Sequence, residues 1–394
     1  MKTNHYNLQT DRRKFLRGFT FTLGGTLLGM PLLSHSMGHH GGGLAYEEGT
    51  LQTGAQQQKK MGIALVGLGQ YSTNELAPAL QETQHCYLAG IVTGTPSKAE
   101  AWKKKYNIPD KNIYSYDTFD QIANNKDIDI VYVVLPNAMH AEYTIRAAKA
   151  KKHVICEKPM ATTVEDAQRM LDACRENGVQ LAIGYRLHFE PFHQRVMELG
   201  QKQVYGKVKQ IEARNSSDMT DGSLDVWRLN KELAGGGSLM DLGIYCVQGA
   251  IYTMGKPPVA VTARYGEVTK PNYFHSVEQS ISWQMEFEDG VKAECNTSYA
   301  DDENVLSAKA EKGWWRLNPA YAYEGKEGET QEGKMDLPNI YEQVRQMDGQ
   351  AQSFMKNQPS IVPGEMGLRD MRVLMAIYES ADAGGKRVEI RYDG

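Results

Sequence analysis

The run Gly62-Ile63-Ala64-Leu65-Val66, closed at once by Gly67-Leu68-Gly69-Gln70-Tyr71-Ser72, constrains this chain more than any other stretch. A short continuous apolar run reads as a strand of a parallel sheet, because such strands are buried on both faces and show no alternation. The glycines let the chain turn sharply and bring backbone N–H groups, at the positive end of a following helix, up to a phosphate. The theme then repeats. Strands are expected near 87–93, 113–116, 129–135, 153–156 and 180–184. Helices are expected near 74–83, 97–106, 119–124, 141–150 and 164–177, with Ser97 as an N-cap. Strands and helices alternating in this way imply an α/β fold, a doubly wound parallel Rossmann sheet.

After about residue 190 the alternation stops. Longer strands are expected at 208–215, 259–265, 276–287, 290–299 and 306–310, several with period-two patterning such as Ser280 to Phe287. That pattern implies a second, α+β domain with a large, mainly antiparallel sheet. Helices near 237–254, 341–356 and 364–382 are expected to cover one of its faces. The expected organisation is a dinucleotide-binding domain at 61–186 and a substrate-binding and oligomerisation domain at 187–394. Hydrophobic residues make up 41% and charged residues 23%, with a formal net charge of -4, so the chain has no basic field of the kind that neutralises nucleic-acid phosphates.

The phosphate loop assigns Gly67 to the tight turn and Gly69 to close approach of a pyrophosphate, with Gln70 and Tyr71 beside it. Ser72 stands where a third glycine is usual. The end of the second strand discriminates between cofactors. An NAD site wants an acid there for the ribose hydroxyls; this chain has Thr93-Gly94-Thr95-Pro96-Ser97-Lys98. Hydroxyls and an ammonium suit a 2′-phosphate, which a carboxylate would repel, so NADP is favoured over NAD. Tyr116 ends the third strand on the same edge, and Leu135, Asn137 and His140 follow the fourth strand, where cofactors bind in such sheets.

Two further segments carry chemistry. Glu157-Lys158-Pro159 ends the fifth strand, and a residue before proline is held extended, which aims Lys158 into the cleft. Gly235-Gly236-Gly237-Ser238-Leu239-Met240-Asp241-Leu242-Gly243-Ile244-Tyr245 enters a helix, and Asp241 and Tyr245, four apart, share one face. With His140-Ala141-Glu142, Gly184-Tyr185-Arg186, Trp227-Arg228-Leu229 and Glu232-Leu233-Ala234, these segments resemble the Gfo/Idh/MocA oxidoreductase superfamily, and within it the glucose–fructose oxidoreductases. The resemblance covers nearly everything from Met61 onward. It implies that Tyr245 is the acid/base, that Lys158 hydrogen-bonds the reacting sugar oxygen and that Asp241 orients the sugar. It also places Arg186, Trp227 and Arg228 near cofactor or substrate, makes Glu157 a cofactor-side or structural partner, and points to a homodimer or homotetramer.

The first residues suggest export. Arg12-Arg13 with Phe15-Leu16, an apolar stretch from Gly18 to Leu33, and Ser34-His35-Ser36 have the order of a twin-arginine signal, expected to span 1–36, with a flexible arm at 37–60. A periplasmic protein without a free nicotinamide pool would keep its cofactor and recycle it: one aldose leaves as a lactone, and a second sugar leaves as an alditol. A single-substrate NAD(P)-dependent sugar dehydrogenase, an NAD-dependent glycosidase and a non-catalytic sugar sensor are the rivals. No metal site is expected: His39-His40 lacks further ligands at suitable spacing, and His188 and His193 around Glu190 do not match a metalloprotease motif. The five cysteines read as buried small hydrophobes, and no membrane insertion is expected once the leader is removed.

Overall fold

The computed structural model describes residues 59–220, 222–224 and 226–392, so the leader, His39-His40 and nearly all of the arm lie outside the described residues. Six strands form the first sheet: β1 (Met61–Val66), β2 (Cys86–Val92), β3 (Ile113–Tyr114), β4 (Ile130–Val133), β5 (His153–Cys156) and β6 (Leu181–Ile183). Their order is β3-β2-β1-β4-β5-β6, and every neighbouring pair is parallel. The strand order reverses between β1 and β4, so the loops after these two strands diverge and leave a crevice at their carboxyl ends. All six residues of β1 and all four of β4 are buried, which is why neither strand alternates in sequence.

Nine strands form the second sheet: β7 (Val208–Ser216), β8 (Ala260–Tyr265), β9 (Ser280–Glu286), β10 (Lys292–Ser298), β11 (Asn304–Ala310), β12 (Gly313–Leu317), β13 (Gly328–Thr330), β14 (Gly333–Lys334) and β15 (Val388–Glu389). The order is β14-β13-β12-β11-β7-β10-β9-β8-β15, antiparallel throughout except for the β7–β10 pair. Its inner face buries Ile281, Trp283 and Met285 of β9 with Ala293 and Cys295 of β10, against the helix Ile244–Met254. Ten of that helix's eleven residues are buried, the state expected of a helix that is apolar all round.

Two expectations need correction. The helix Glu342–Met355 does not cover the second sheet. Its Met347, Ala351 and Phe354 pack with Ile63, Leu65 and Ile91 of the first sheet, and Gln350 donates to the Ile183 carbonyl of β6 at 2.9 Å. This helix therefore returns to cover the parallel sheet and its edge. At the start of the helix Pro96–Tyr106, Thr95 holds the N-cap position and Pro96 the first turn, so Ser97 lies inside the helix. All five cysteines are buried and unpaired.

The loop after β1 is locked. Gly67 has φ +93°, and a Cβ there would stand 2.3 Å from the Val134 carbonyl oxygen. Ser72 is fully buried and donates its hydroxyl to the Gly67 carbonyl at 2.6 Å, fastening the helix start to the turn that a third glycine would otherwise pack against. Gly67→Ala is therefore expected to destabilise the fold, by about 1–3 kcal/mol for the backbone conformation alone before the clash is counted, and so to lower the urea midpoint. Equilibrium denaturation followed by circular dichroism checks this.

Candidate active site

The crevice between the two sheets gathers residues from five segments. Lys158 leaves the end of β5 through a cis Lys158–Pro159 bond, with its side chain only 13% exposed. Its ammonium donates to the Asp241 backbone carbonyl at 2.7 Å and to the Asp241 carboxylate at 3.4 Å, and stands 4.4 Å from the centre of the Tyr245 ring. Asp241 lies in a widened turn, Leu239–Gly243, that runs directly into the helix Ile244–Met254. Lysine, aspartate and tyrosine thus meet, although 83 residues separate the first two.

Asp241 has three charged or polar neighbours. Arg228 donates to its carboxylate at 2.9 Å and the Tyr299 hydroxyl at 3.2 Å, while Lys158 approaches the other oxygen. Burial opposes ionisation of this carboxyl, but the Arg228 guanidinium and the Lys158 ammonium outweigh it and hold the carboxyl down at about 2. Glu157, next to Lys158 in sequence, goes the other way: burial pushes its carboxyl above the usual range despite a 2.6 Å hydrogen bond from Tyr132. Gln346 in turn donates to the Tyr132 hydroxyl at 2.7 Å. Glu157 is walled in by this chain of contacts, and the structure gives it the character of a framework residue.

Glu278 sets the angle of the Asp241–Tyr245 segment. Its carboxylate accepts the backbone N–H groups of Gly237 and Leu239 at 2.8 and 2.9 Å, together with the Tyr378 hydroxyl at 2.9 Å. A remote carboxylate therefore caps the start of this helical segment. No local cap sequence announces it, because the acid lies 41 residues away on the loop before β9.

On the dinucleotide side, a Cβ added at Gly69 would meet nothing within 4 Å, so the backbone is open there. Gln70 is exposed beside it. Lys98 reaches across from its helix to donate to the Leu68 carbonyl at 3.2 Å, which puts its ammonium against the phosphate loop. Thr93 is buried and its hydroxyl accepts from the Thr95 N–H at 3.2 Å, while Tyr116 packs its ring edge within 3.1 Å of where a Gly94 Cβ would be. This open glycine cradle, with a cation and no carboxylate beside it, fits a nicotinamide dinucleotide; Gly67, Gly69, Gln70, Thr93 and Lys98 would hold its phosphate and ribose end.

Several candidates sit differently from their expected places. His140 is fully enclosed, and its two ring nitrogens lie 2.9 Å from the carbonyl oxygens of Pro159 and Leu135. It braces the β4 loop against the lysine turn and has no free nitrogen for a cofactor. Asn137 is buried and donates to the Ala234 carbonyl at 2.8 Å, tying the β4 loop to the glycine-rich segment. Arg186 is 3% exposed: its guanidinium is taken up by Glu342, by the carbonyls of Tyr321 and Ala322, and by the Tyr245 hydroxyl at 3.4 Å. A guanidinium with its donors so engaged has no fork left for a phosphate. Arg228 stacks on Trp227 at 4.6 Å and faces Asp241. Tyr71 stacks on Tyr323 at 6.0 Å, and Leu135 is buried with its carbonyl turned to His140. Among residues the sequence did not single out, Glu342 and Lys326 form a buried ion pair at 2.9 Å directly behind Arg186. Glu190 caps the helix Pro191–Gln201 and bonds the His193 ring at 2.8 Å, a structural use of both residues.

A model of the oxidoreductase family with an NAD-binding Rossmann fold matches residues 61–185, and one of the GFO/IDH/MocA C-terminal domain matches residues 193–316. The chain belongs to the Gfo/Idh/MocA oxidoreductases. Among solved members, the aldose-aldose oxidoreductase of Caulobacter crescentus is 38% identical and superposes with a TM-score of 0.81, covering 84% of this chain and all of that one. The D-xylose 1-dehydrogenase [NADP(+)] of Haloarcula marismortui is 28% identical over 328 residues, 81% of this chain and 91% of that enzyme. The D-glucoside 3-dehydrogenase of Escherichia coli is 28% identical over 356 residues, 85% of this chain and 99% of that enzyme. Among the described residues, no group of three or more His, Cys, Asp or Glu could hold a metal ion, and no helix is long and apolar enough to cross a membrane.

The depressed Asp241 carboxyl has a testable consequence. Its folded-state value lies below its ordinary one, so its contribution to stability is complete above about pH 4 and is lost as the pH falls through about 2. Urea unfolding of the native chain and of Asp241→Asn should differ by on the order of 2 kcal/mol at pH 7 and converge near pH 2. A gap that stays constant across that window would show that the carboxylate is not held ionised by its neighbours.

Proposed function

We propose that this Gfo/Idh/MocA oxidoreductase holds NADP tightly and oxidises an aldose of the glucose type to its lactone, then reduces a second sugar to an alditol, in ping-pong fashion. The observation that carries the reading is the meeting of Lys158, Asp241 and Tyr245 in a chain whose glycine cradle has a cation and no acid at its ribose end. A bound nicotinamide supplies the hydride acceptor for the first sugar and the donor for the second.

The chain's own residues move the proton. The C1 hydroxyl of the aldose gives its proton to the Tyr245 oxygen as its C1–H bond is oxidised, and Tyr245 returns that proton to the carbonyl oxygen of the second sugar. Lys158, held by the Asp241 carbonyl, places an ammonium over the Tyr245 ring, from which it can donate to the reacting oxygen and stabilise the developing alkoxide. Asp241 stays ionised across the physiological range and accepts sugar hydroxyls, with Arg228 fixing its orientation. Trp227, under Arg228, offers an aromatic wall to the sugar. The aldose-aldose oxidoreductase and the NADP(+)-dependent xylose dehydrogenase among the relatives support this substrate class and cofactor. The twin-arginine pattern at Arg12-Arg13 supports export in the folded state to the periplasm, where a retained cofactor is an advantage. We further propose that the chain works as a homodimer or homotetramer.

Two outcomes test the reading. Protein purified without added nucleotide should release NADP on heating and convert an aldose pair to lactone and alditol unaided; turnover only when free cofactor is supplied would reduce it to a single-substrate dehydrogenase. Tyr245→Phe should lose about 10²–10⁴-fold in kcat while still carrying the nucleotide. For the cofactor choice, Lys98→Glu should weaken NADP binding far more than NAD binding in fluorescence titrations; an equal effect on both would remove the 2′-phosphate assignment.

A further inference from the structure

Behind the proposed acid/base lies a buried charge cluster in which Arg186 is joined by Glu342 and Lys326. Arg186 donates to the Tyr245 hydroxyl at 3.4 Å, and its guanidinium carbon lies 5.1 Å from the Tyr245 ring centre and 4.3 Å from that of Tyr323. Its outer side is paired with Glu342, whose second carboxylate oxygen accepts from Lys326 at 2.9 Å. Side-chain exposures of 3%, 0% and 2% for Arg186, Glu342 and Lys326 put all three out of water. Two cations share one carboxylate, so the cluster carries a net charge of +1. That surplus stands beside the phenol, out of contact with solvent.

We propose that the Arg186–Glu342–Lys326 cluster is a positioning and charge-setting device for the Tyr245 phenol, with Glu342 limiting how strongly the paired cations favour the phenolate. This rests on the reading of Tyr245 as acid/base. The arrangement has a chemical reason. A ping-pong enzyme needs the same phenol to be basic enough to take a proton from one sugar and acidic enough to return it to the next. An uncompensated Arg186 would favour the phenolate too strongly for the second half-reaction. Glu342, fixed and fully buried at the first turn of the helix Glu342–Met355, offsets part of that field. The other charged or titratable groups facing Tyr245 are Lys158 over its ring and Asp241 one turn back on its own segment. Arg228 acts through Asp241, Glu157 lies beside Lys158, and Tyr252, Tyr321 and Tyr323 face it from the remaining elements. Tyr323 also meets Lys326, its backbone carbonyl accepting from the ammonium at 3.5 Å.

The experiment is the pH profile of kcat/KM for aldose oxidation with the nucleotide-loaded enzyme. Its acidic limb reports the proton acceptor of the free enzyme. Glu342→Gln makes the cluster +2 and should move the limb down by about one pH unit; Lys326→Met makes it neutral and should move the limb up by about as much. The double variant restores +1 and should bring the limb back to the native position. If Glu342→Gln fails to fold, the upward shift of Lys326→Met and its reversal in the double variant still decide the matter. Limbs that stay fixed, or move in the same direction in both single variants, would overturn the proposal and leave the cluster a packing feature. Tyr245→Phe run in parallel separates the two claims: if it keeps native turnover, the acid/base reading fails; if it is inactive while the limbs stay fixed, only the cluster's role fails.

Discussion

Everything at the crevice depends on the hold that one residue of the second domain has on one lysine of the first. The Asp241 carbonyl and carboxylate capture the Lys158 ammonium, and in doing so join the carboxyl end of β5 to the helix that backs the nine-stranded sheet. The pair is partly buried, so breaking it would leave a charge short of water on either side. That cost fixes where Tyr245 stands, because Tyr245 follows Asp241 by one turn and the lysine lies over its ring. Asn137 and His140 reinforce the same junction from the β4 loop through backbone carbonyls.

The site uses three buried or half-buried carboxylates in three ways, and their surroundings account for the difference. Asp241 faces two cations and a phenol and remains an anion. Glu157 faces a tyrosine hydroxyl in a closed space, where burial favours its neutral form. Glu278 faces two backbone N–H groups at a helix start, so its oxygens work as a cap. Sequence adjacency says nothing of this: Glu157 touches Lys158 in the chain, yet it is Asp241 that holds the lysine's ammonium.

The parallel sheet was legible because its signal is local. An unbroken apolar run, a glycine turn and a capped helix each identify themselves within a dozen residues, and helix Val164–Asn177 falls where its pattern places it. Lys158, Asp241 and Tyr245 were legible because their short segments resemble those of the Gfo/Idh/MocA oxidoreductases. Glu342, Lys326 and Glu278 were not, since a glutamate or lysine in a polar stretch reads as a surface residue. His140 and Arg186 misled for a related reason: both lie in conspicuous motifs beside the cleft, yet their polar atoms are consumed by backbone carbonyls and a buried acid.

The amino-acid sequence alone determined the doubly wound sheet, the mainly antiparallel second sheet, the phosphate loop, the absence of an acid at the ribose end and the segments that carry the lysine, the aspartate and the tyrosine. The sheets and the phosphate loop follow from periodicity and from the few backbone shapes that glycine and proline allow, and the three site segments from their resemblance to a known family. Only the tertiary structure decided that the helix Glu342–Met355 returns to the first sheet, bringing Glu342 behind Arg186 and Gln346 onto Tyr132. Contacts between residues more than a hundred positions apart arise from the joint burial of two apolar faces, and no local pattern records which faces will meet.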